Sequence, residues 1–159
     1  MIVSSDLSRA ASTAAALASL TGLDVILDKD LRERHGGSWE GLNDAEIRER
    51  YPAEHATWMP PDGEPTAAVA DRVAAALRRT TTAVAEQVAD PDGLAVVVSH
   101  GAALRLGTSR LLGMPEELFG VLGPLANCSW SVLGVRYGRW RLLEHNAGTL
   151  PEPVLSDDR

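Results

Sequence analysis

Apolar positions divide the chain into short strand-like runs and longer stretches with helical spacing. Leu94 to Val98 run without a polar interruption, follow a Pro91-Asp92-Gly93 turn signal and end at Ser99-His100-Gly101. A β-branched run bounded in this way predicts a strand buried on both faces of a parallel sheet. Gly101 then opens a helical pattern, Ala102 to Leu112, closed by Gly113. In Thr66–Ala89, the apolar residues Val69, Val73, Leu77, Val84 and Val88 recur at near-helical spacing and predict one long amphipathic helix. Ser8–Leu20 is Ala-rich and stops at Gly22, a helix preceded by cap candidates in Ser4-Ser5-Asp6. Met1-Ile2-Val3 reads as the end of a strand, and Asp24–Leu27 as a second one.

Asn43-Asp44-Ala45-Glu46 is a capping pattern that opens a helix to Arg50, stopped by Pro52. Ala53–Trp58 adds a short helix, Met59–Pro65 a Pro/Gly-rich loop, and Pro115–Gly120 another short helix. Gly123-Pro124 is a turn. Asn127–Val135 and Arg139–Glu144 read as an antiparallel hairpin joined at Tyr137-Gly138. Trp130 and Trp140 are assigned to the core, and His55 and His145 to structural or exposed positions. Buried strands alternating with amphipathic helices predict an α/β fold, a three-layer α/β/α sandwich on a mostly parallel sheet. It forms one domain over residues 1–150, and 151–159 is a polar tail.

The chemistry gathers at strand ends. His100 sits where the Leu94–Val98 strand meets a helix, the edge at which open α/β sheets bind ligands. The helix start, at Gly101, offers free backbone N–H groups and a partly positive end to an anion. Arg9, in the first turn of its own helix, opposes the helix dipole there. It is either a solvated surface arginine or a group reaching over the strand end to hold an anion beside His100. Leu31 to Gly41 carries three glycines, four charged residues, a histidine and a tryptophan, which is neither strand nor helix. Ordered loops of this kind tend to carry function, and adjacent Gly36 and Gly37 imply unusual torsions or a close approach. Glu33 is its best-placed acid–base group; the plain alternative is an ion pair with Arg32 or Arg34.

Composition narrows the function classes. At 159 residues the chain can bury a real core. A net charge of −7, with no basic stripe, argues against nucleic-acid binding. The lone Cys128 excludes an internal disulfide and a cysteine-based zinc site, and it fits a reducing, cytoplasmic compartment. No apolar run reaches membrane-spanning length, and the Ala-rich start lacks a basic n-region.

Four segments, in order, resemble the histidine phosphatase superfamily in its phosphoglycerate mutase-like branch. Ser4-Ser5-Asp6-Leu7-Ser8-Arg9-Ala10 with Thr13-Ala14 looks like the S-x-L-x-R-A-x-x-T-A block. Leu31-Arg32-Glu33 with Gly37 and Trp39-Glu40-Gly41 looks like L-R-E-x-x-x-G-x-W-E-G. Gly63-Glu64 matches a G-E-S element with Pro65 in place of the serine, and Val98-Ser99-His100-Gly101 with Arg105 looks like the second-histidine block. Asn127-Cys128-Ser129-Trp130 and Asn146 resemble the tail of the bacterial phosphatases.

The resemblance implies roles residue by residue. Arg9 would clamp phosphate, for which a guanidinium fork is suited. His100 would donate to the phosphoryl oxygens, together with the Gly101 N–H. Glu33 would be the general acid that protonates the leaving alkoxide, which requires a carboxyl group protonated part of the time near neutral pH. The family reaction passes through a phosphohistidine hydrolysed by water, and needs no metal or other cofactor. Loops around Trp39, Trp58 and Asn127 would set specificity for a small phosphorylated substrate. The implied partners are that substrate and, for a homo-oligomer, further copies of the chain, without membrane or nucleic acid.

The family's nucleophilic histidine lies in an R-H-G motif at the end of a first, central strand, which has no counterpart in this chain. Arg34-His35-Gly36 spells R-H-G, but it lies inside the Glu33 block and follows no apolar strand. The expected fold is therefore phosphoglycerate mutase-like without the first central strand, leaving a gap beside Leu94–Ser99. Because Arg9, Glu33 and His100 survive together, truncation is expected over degeneration. The short Trp58–Thr66 loop and the W-E-G acid block favour a phosphatase. The alternatives are a catalytically inactive phosphate-binding or interaction module and a phosphoglycerate mutase-type phosphotransferase.

Overall fold

Ile2, Val3 and Ser4 are all buried, and they form β1 (Ile2–Ser4), the middle strand of a three-stranded parallel sheet. This computed structural model describes residues 1–87 and 93–148. Strand β2 (Val25–Leu27) flanks β1 on one side and β3 (Val96–Val98) on the other, with Ile2 opposite both Val25 and Val96. Successive residues of a strand point to opposite faces. Val3 points into the main core, among residues of two packed helices, α4 (Thr66–Gln87) and α5 (Gly101–Leu111). The opposite face receives α1 (Ser8–Thr21), which contacts all three strands and buries Ala10 and Ala14. These small side chains let the helix approach the sheet closely. The result is the predicted α/β layering.

The long helix obeys its pattern: Val69, Val73, Leu77 and Val84 are buried, with Val69 and Val73 fully enclosed. Helix α5 packs on it at Gly107, where a Cβ would stand 2.6 Å from the Val73 Cβ. Helix α2 (Asp44–Arg50) starts with the predicted capping box, Asn43 Oδ1 accepting from the Glu46 N–H and the Glu46 carboxylate from the Asn43 N–H. The short helix α3 (Pro52–Thr57) follows, and Trp58 ends it in a left-handed conformation. Strands β4 (Trp130–Arg136) and β5 (Arg139–Ala147) form the hairpin, with positive φ at both Tyr137 and Gly138. That pair of torsions is the tight-turn geometry matching the twist of the flanking strands.

Several expectations are corrected. The third strand is not buried on both faces: Leu94 and Val96 are exposed, while Val97 and Val98 are half-buried. The reason is topological. Among the described residues β3 pairs only with β1, and the hairpin is a separate two-stranded sheet. Helix α1 is capped by neither serine nor aspartate; Leu7 occupies the cap position without a side-chain bond, and Ser5 Oγ accepts from the Leu7 N–H instead. Trp130 is 44% exposed rather than in the core, whereas Trp140 does pack against it. The first hairpin strand begins at Trp130, three residues later than expected, because Asn127 and Cys128 turn. Val88, Pro91-Asp92 and the predicted tail lie outside the described residues. Among the described residues no helix is long and apolar enough to cross a membrane.

Candidate active site

Strand β1 ends at Ser4, and the next residue continues its pairing: the Ser5 N–H donates to the Val98 carbonyl at 2.9 Å. This bond brings the start of the Arg9 segment against the end of β3, where His100 follows. His100 is 8% exposed and both ring nitrogens are engaged. Arg9 Nε donates to its Nδ1 at 3.1 Å, and its Nε2 lies 2.9 Å from Ser5 Oγ. A guanidinium can only donate. Nδ1 is therefore the acceptor, the proton sits on Nε2, and Nε2–H donates to the serine. Burial, and then the Arg9 charge, push the His100 imidazole below its ordinary value, against an opposing pull from Glu33. His100 is thus a neutral imidazole with a single N–H to give. The terminal nitrogens of Arg9 carry no partner among the described residues and stand at an exposed position, open to an anion.

Glu33 reaches the same place from the loop. Its carboxylate accepts from the N–H groups of Ala103 at 2.9 Å, Ala102 at 3.3 Å and Arg34 at 2.8 Å. The first two belong to the opening turn of α5, directly after His100. The helix start does hold an acidic group, as expected of its dipole, but that group is the Glu33 side chain itself. Two of the N–H groups at the helix entry are taken, while the Gly101 N–H has no acceptor among the described residues. The Glu33 side chain does not pair with its neighbours: Arg32 holds Asp6 through two bonds of 2.6 Å, and Arg34 Nε donates to the Glu64 carbonyl at 2.8 Å.

The Glu33 loop is held by an arginine that the sequence did not single out. Arg72, on α4, donates to the carbonyls of Asp30, Arg32 and Glu33 at 2.8, 2.7 and 3.1 Å. The same guanidinium holds both oxygens of Glu64 at 2.7 Å. The weakly matching Gly63-Glu64 element is thereby explained as the counter-ion of this clamp. Ser99 Oγ donates to the Leu31 carbonyl at 2.7 Å and ties the loop to the end of β3. Gly37 has φ +54, and a Cβ there would stand 2.7 Å from the Asp62 side-chain carbon, so the second glycine of the pair marks a close approach while Gly36 does not.

A cavity of about 360 Å³ opens beside Glu33. Trp39 and Trp58 meet edge to face on its wall, their ring centroids 5.3 Å apart. Asn127, predicted at the substrate loop, is exposed in a turn and does not line this cavity; Asn146 Oδ1 braces the segment by accepting from the Ala126 N–H at 2.8 Å. The structure therefore brings Arg9, Glu33, His100, Gly101 and Trp39 together and leaves Asn127 apart. It adds Ser5 and Arg72. The serine of the S-x-L-x-R-A pattern marked the first; a lone arginine in a helical pattern carried no mark of the second. His35 is exposed, its ring 3.4 Å from Glu40, and is not part of the cluster. His55 is bound to Asp44, and His145 to Ser131 and Gly123, as the structural assignment expected.

The chain is similar to known proteins over most of its length. Glucosyl-3-phosphoglycerate phosphatase of Mycobacterium tuberculosis is 37% identical over 170 residues, covering 92% of this chain and 73% of the relative. A probable phosphoglycerate mutase of Escherichia coli is 34% identical over 152 residues, covering 87% of this chain and 65% of the relative. The mycobacterial glucosyl-3-phosphoglycerate phosphatase solved with inorganic phosphate superposes with a TM-score of 0.86 at 35% identity, covering 93% of this chain and 77% of that one. The model of the histidine phosphatase superfamily, branch 1, matches residues 1–148. With that match and these relatives, the chain belongs to the histidine phosphatase superfamily.

Proposed function

We propose that this chain carries the phosphate site of a phosphomonoesterase acting on a small phosphorylated metabolite. The observation that carries the proposal is the convergence of Arg9, His100 and Glu33, drawn from three distant segments to one strand edge. Arg9 presents its terminal nitrogens, and the His100 Nε2–H turns from Ser5 Oγ to a phosphoryl oxygen. Glu33, fixed at the mouth of the cavity, stands beside the leaving group. In the full reaction a histidine attacks phosphorus and the ester oxygen leaves with a proton from Glu33. Water then attacks the phosphohistidine and releases phosphate.

The attacking histidine is not among the four of this chain. It belongs at the end of a strand lying along the outer edge of β3. We take the setting to be cytoplasmic and the partner to be the substrate, with no nucleic acid and no other cofactor. The short Met59–Pro65 loop supports hydrolysis over phosphotransfer.

The test is a titration of the chain with inorganic phosphate, followed by amide and imidazole NMR shifts. Saturable shifts at Ser5, His100 and Gly101, abolished in Arg9→Ala, are expected. Identical isotherms for the wild type and Arg9→Ala would rule the site out.

A further inference from the structure

The hairpin of β4 and β5 carries a charge arrangement that the phosphate site does not use. Arg136 pairs directly with Arg139, and Gly134 with Arg141. Positions two apart on a strand share a face, so Arg136, Arg139 and Arg141 all stand on one side of the hairpin. Leu133 and Trp140 stand on the other side and pack against the core. A Cβ at Gly134 would lie 3.2 Å from Leu143 Cδ1, which sets the Leu143 side chain on the arginine side as well. All three arginines are exposed, Leu143 is 62% exposed, and Tyr137, at the turn, is 85% exposed. The Arg136 guanidinium lies 5.2 Å from the centre of the Tyr137 ring.

Among the described residues none of these arginines meets a carboxylate. The one acidic residue of the two strands, Glu144, accepts from Trp130 Nε1 at 3.3 Å. Like charges directly opposite one another on paired strands are destabilising. The chain has 22 acidic residues against 15 lysines and arginines, yet the described residues set no counter-charge against this face. An uncompensated repulsion on an exposed surface fits a counter-charge brought by another molecule.

The spacing says which kind. Arg139, Arg141 and Leu143 follow one another along β5 in steps of ~7 Å. An extended peptide repeats at the same distance, so its alternate side chains can match the row. A nucleic-acid backbone offers no apolar side chain for Leu143, and the net charge of −7 repels a polyanion that runs on beyond the hairpin.

We propose that this face is a docking surface for an extended acidic segment of a partner protein, one with two acidic residues and an apolar residue at alternate positions. The carboxylates meet Arg139 and Arg141, the apolar side chain covers Leu143, and Arg136 adds to the field. The surface is independent of the phosphate-site reading.

The experiment follows fluorescence anisotropy of labelled peptides added to the whole chain. One peptide is Ser-Asp-Ser-Glu-Ser-Leu-Ser; the other has the same composition with its two acids adjacent, so that they point to opposite sides. The alternating peptide is expected to bind about fivefold or more tightly than the other, and Arg139→Glu removes the difference. The same substitution turns a repulsive cross-strand pair into an attractive one, so its thermal midpoint is expected to rise. The comparison of the two peptides on the wild type decides the matter even if the variant fails to fold. Equal affinities for the two peptides, or a preference that survives in folded Arg139→Glu, overturns the surface. So does tighter binding of a single-stranded oligonucleotide or of phosphatidylserine vesicles. A lowered midpoint in Arg139→Glu would show that the arginines serve the hairpin itself and would overturn it too.

Discussion

Arg9 Nε donates to His100 Nδ1 at 3.1 Å, so a permanent cation fixes which nitrogen of a buried histidine carries the proton. The arrangement keeps the imidazole neutral with Nε2–H as its donor. Burial and the Arg9 charge place the folded-state pKa below the ordinary 6.5. As pH falls through about 6.5, the unfolded chain takes up a proton that the folded chain refuses. This contribution to stability is therefore complete at neutral pH, is lost as pH drops below 6.5, and stops changing below the folded pKa. Imidazole NMR titration is expected to show His100 protonating below the ordinary 6.5. In Arg9→Ala the His100 midpoint moves up but stays below 6.5, because burial, the larger cause, remains. A His100 midpoint at or above 6.5 in the wild type would contradict the assigned pairing.

Arg72 is expected to matter more to the Glu33 loop than any residue within it. One guanidinium bridges three carbonyls and a carboxylate, and Arg72 holds the Glu64 carboxyl below its ordinary value. Arg72→Ala leaves Glu64 and the carbonyls of residues 30, 32 and 33 unmet. It is expected to cost about 2–3 kcal/mol in urea denaturation. Arg72→Lys recovers only part, since an ammonium cannot span the fork. Glu64 adds a pH dependence of its own. Its depressed pKa gives stability present above the ordinary carboxylate value and lost as pH falls through the folded one. Glu64→Gln is expected to flatten the acid limb of the stability profile.

The parts of the site that rest on local chemistry were legible in the sequence, and the parts that rest on distant partners were not. Glu33 and His100 announce themselves by position, in a glycine-rich loop and at a strand end. Arg72 does not, because nothing in a helical repeat shows that the carbonyls of residues 30, 32 and 33 will pass beside it. The occupant of the α5 N-terminus was misread for the same reason. The dipole called for an anion, and Glu33, about seventy residues away, was already there. The exposure of Val96 is likewise a matter of neighbours: a β-branched run reports that a strand forms, not how many strands flank it.

Gly107→Ala is expected to destabilise the domain, against the usual sign for a glycine inside a helix. Alanine ordinarily gains about 0.5–1 kcal/mol there from backbone entropy. Here the new methyl would meet Val73 Cγ1 and come within 2.6 Å of its Cβ, and both flanking helices are packed. Overpacking of this kind costs about 1–3 kcal/mol. Because α5 carries the Glu33 anchor in its first turn, phosphate binding should weaken in step. Val73→Ala in the same chain makes room and is expected to return part of both losses. Stability unchanged in Gly107→Ala would mean that α4 and α5 are not locked at this crossing.

Phosphoryl transfer needs a nucleophile opposite the leaving oxygen, and the four histidines of this chain are otherwise engaged. His100 has Nδ1 on Arg9 and Nε2 on Ser5, His35 is exposed against Glu40, His55 holds Asp44, and His145 lies between Ser131 and Gly123. Only His100 is in the cluster, and in the proposed reaction it flanks the phosphoryl group as a donor. The chain alone is accordingly expected to bind phosphate while turning over p-nitrophenyl phosphate slowly or not at all. The outer edge of β3 supplies the remedy. Among the described residues that edge has no partner strand beside exposed Val96, next to the strand end where His100 begins. An apolar strand ending in R-H-G, fused ahead of Met1, can pair along that edge and place its histidine at the same end of the sheet. It is expected to raise the thermal midpoint by pairing the open edge, and to bring turnover that disappears when the added histidine is replaced. Robust hydrolysis by the unmodified chain, lost in His100→Ala or His35→Ala, would show that one of its own histidines is the nucleophile. A fused strand that raises stability without turnover would mark the site as a phosphate-binding module rather than an enzyme.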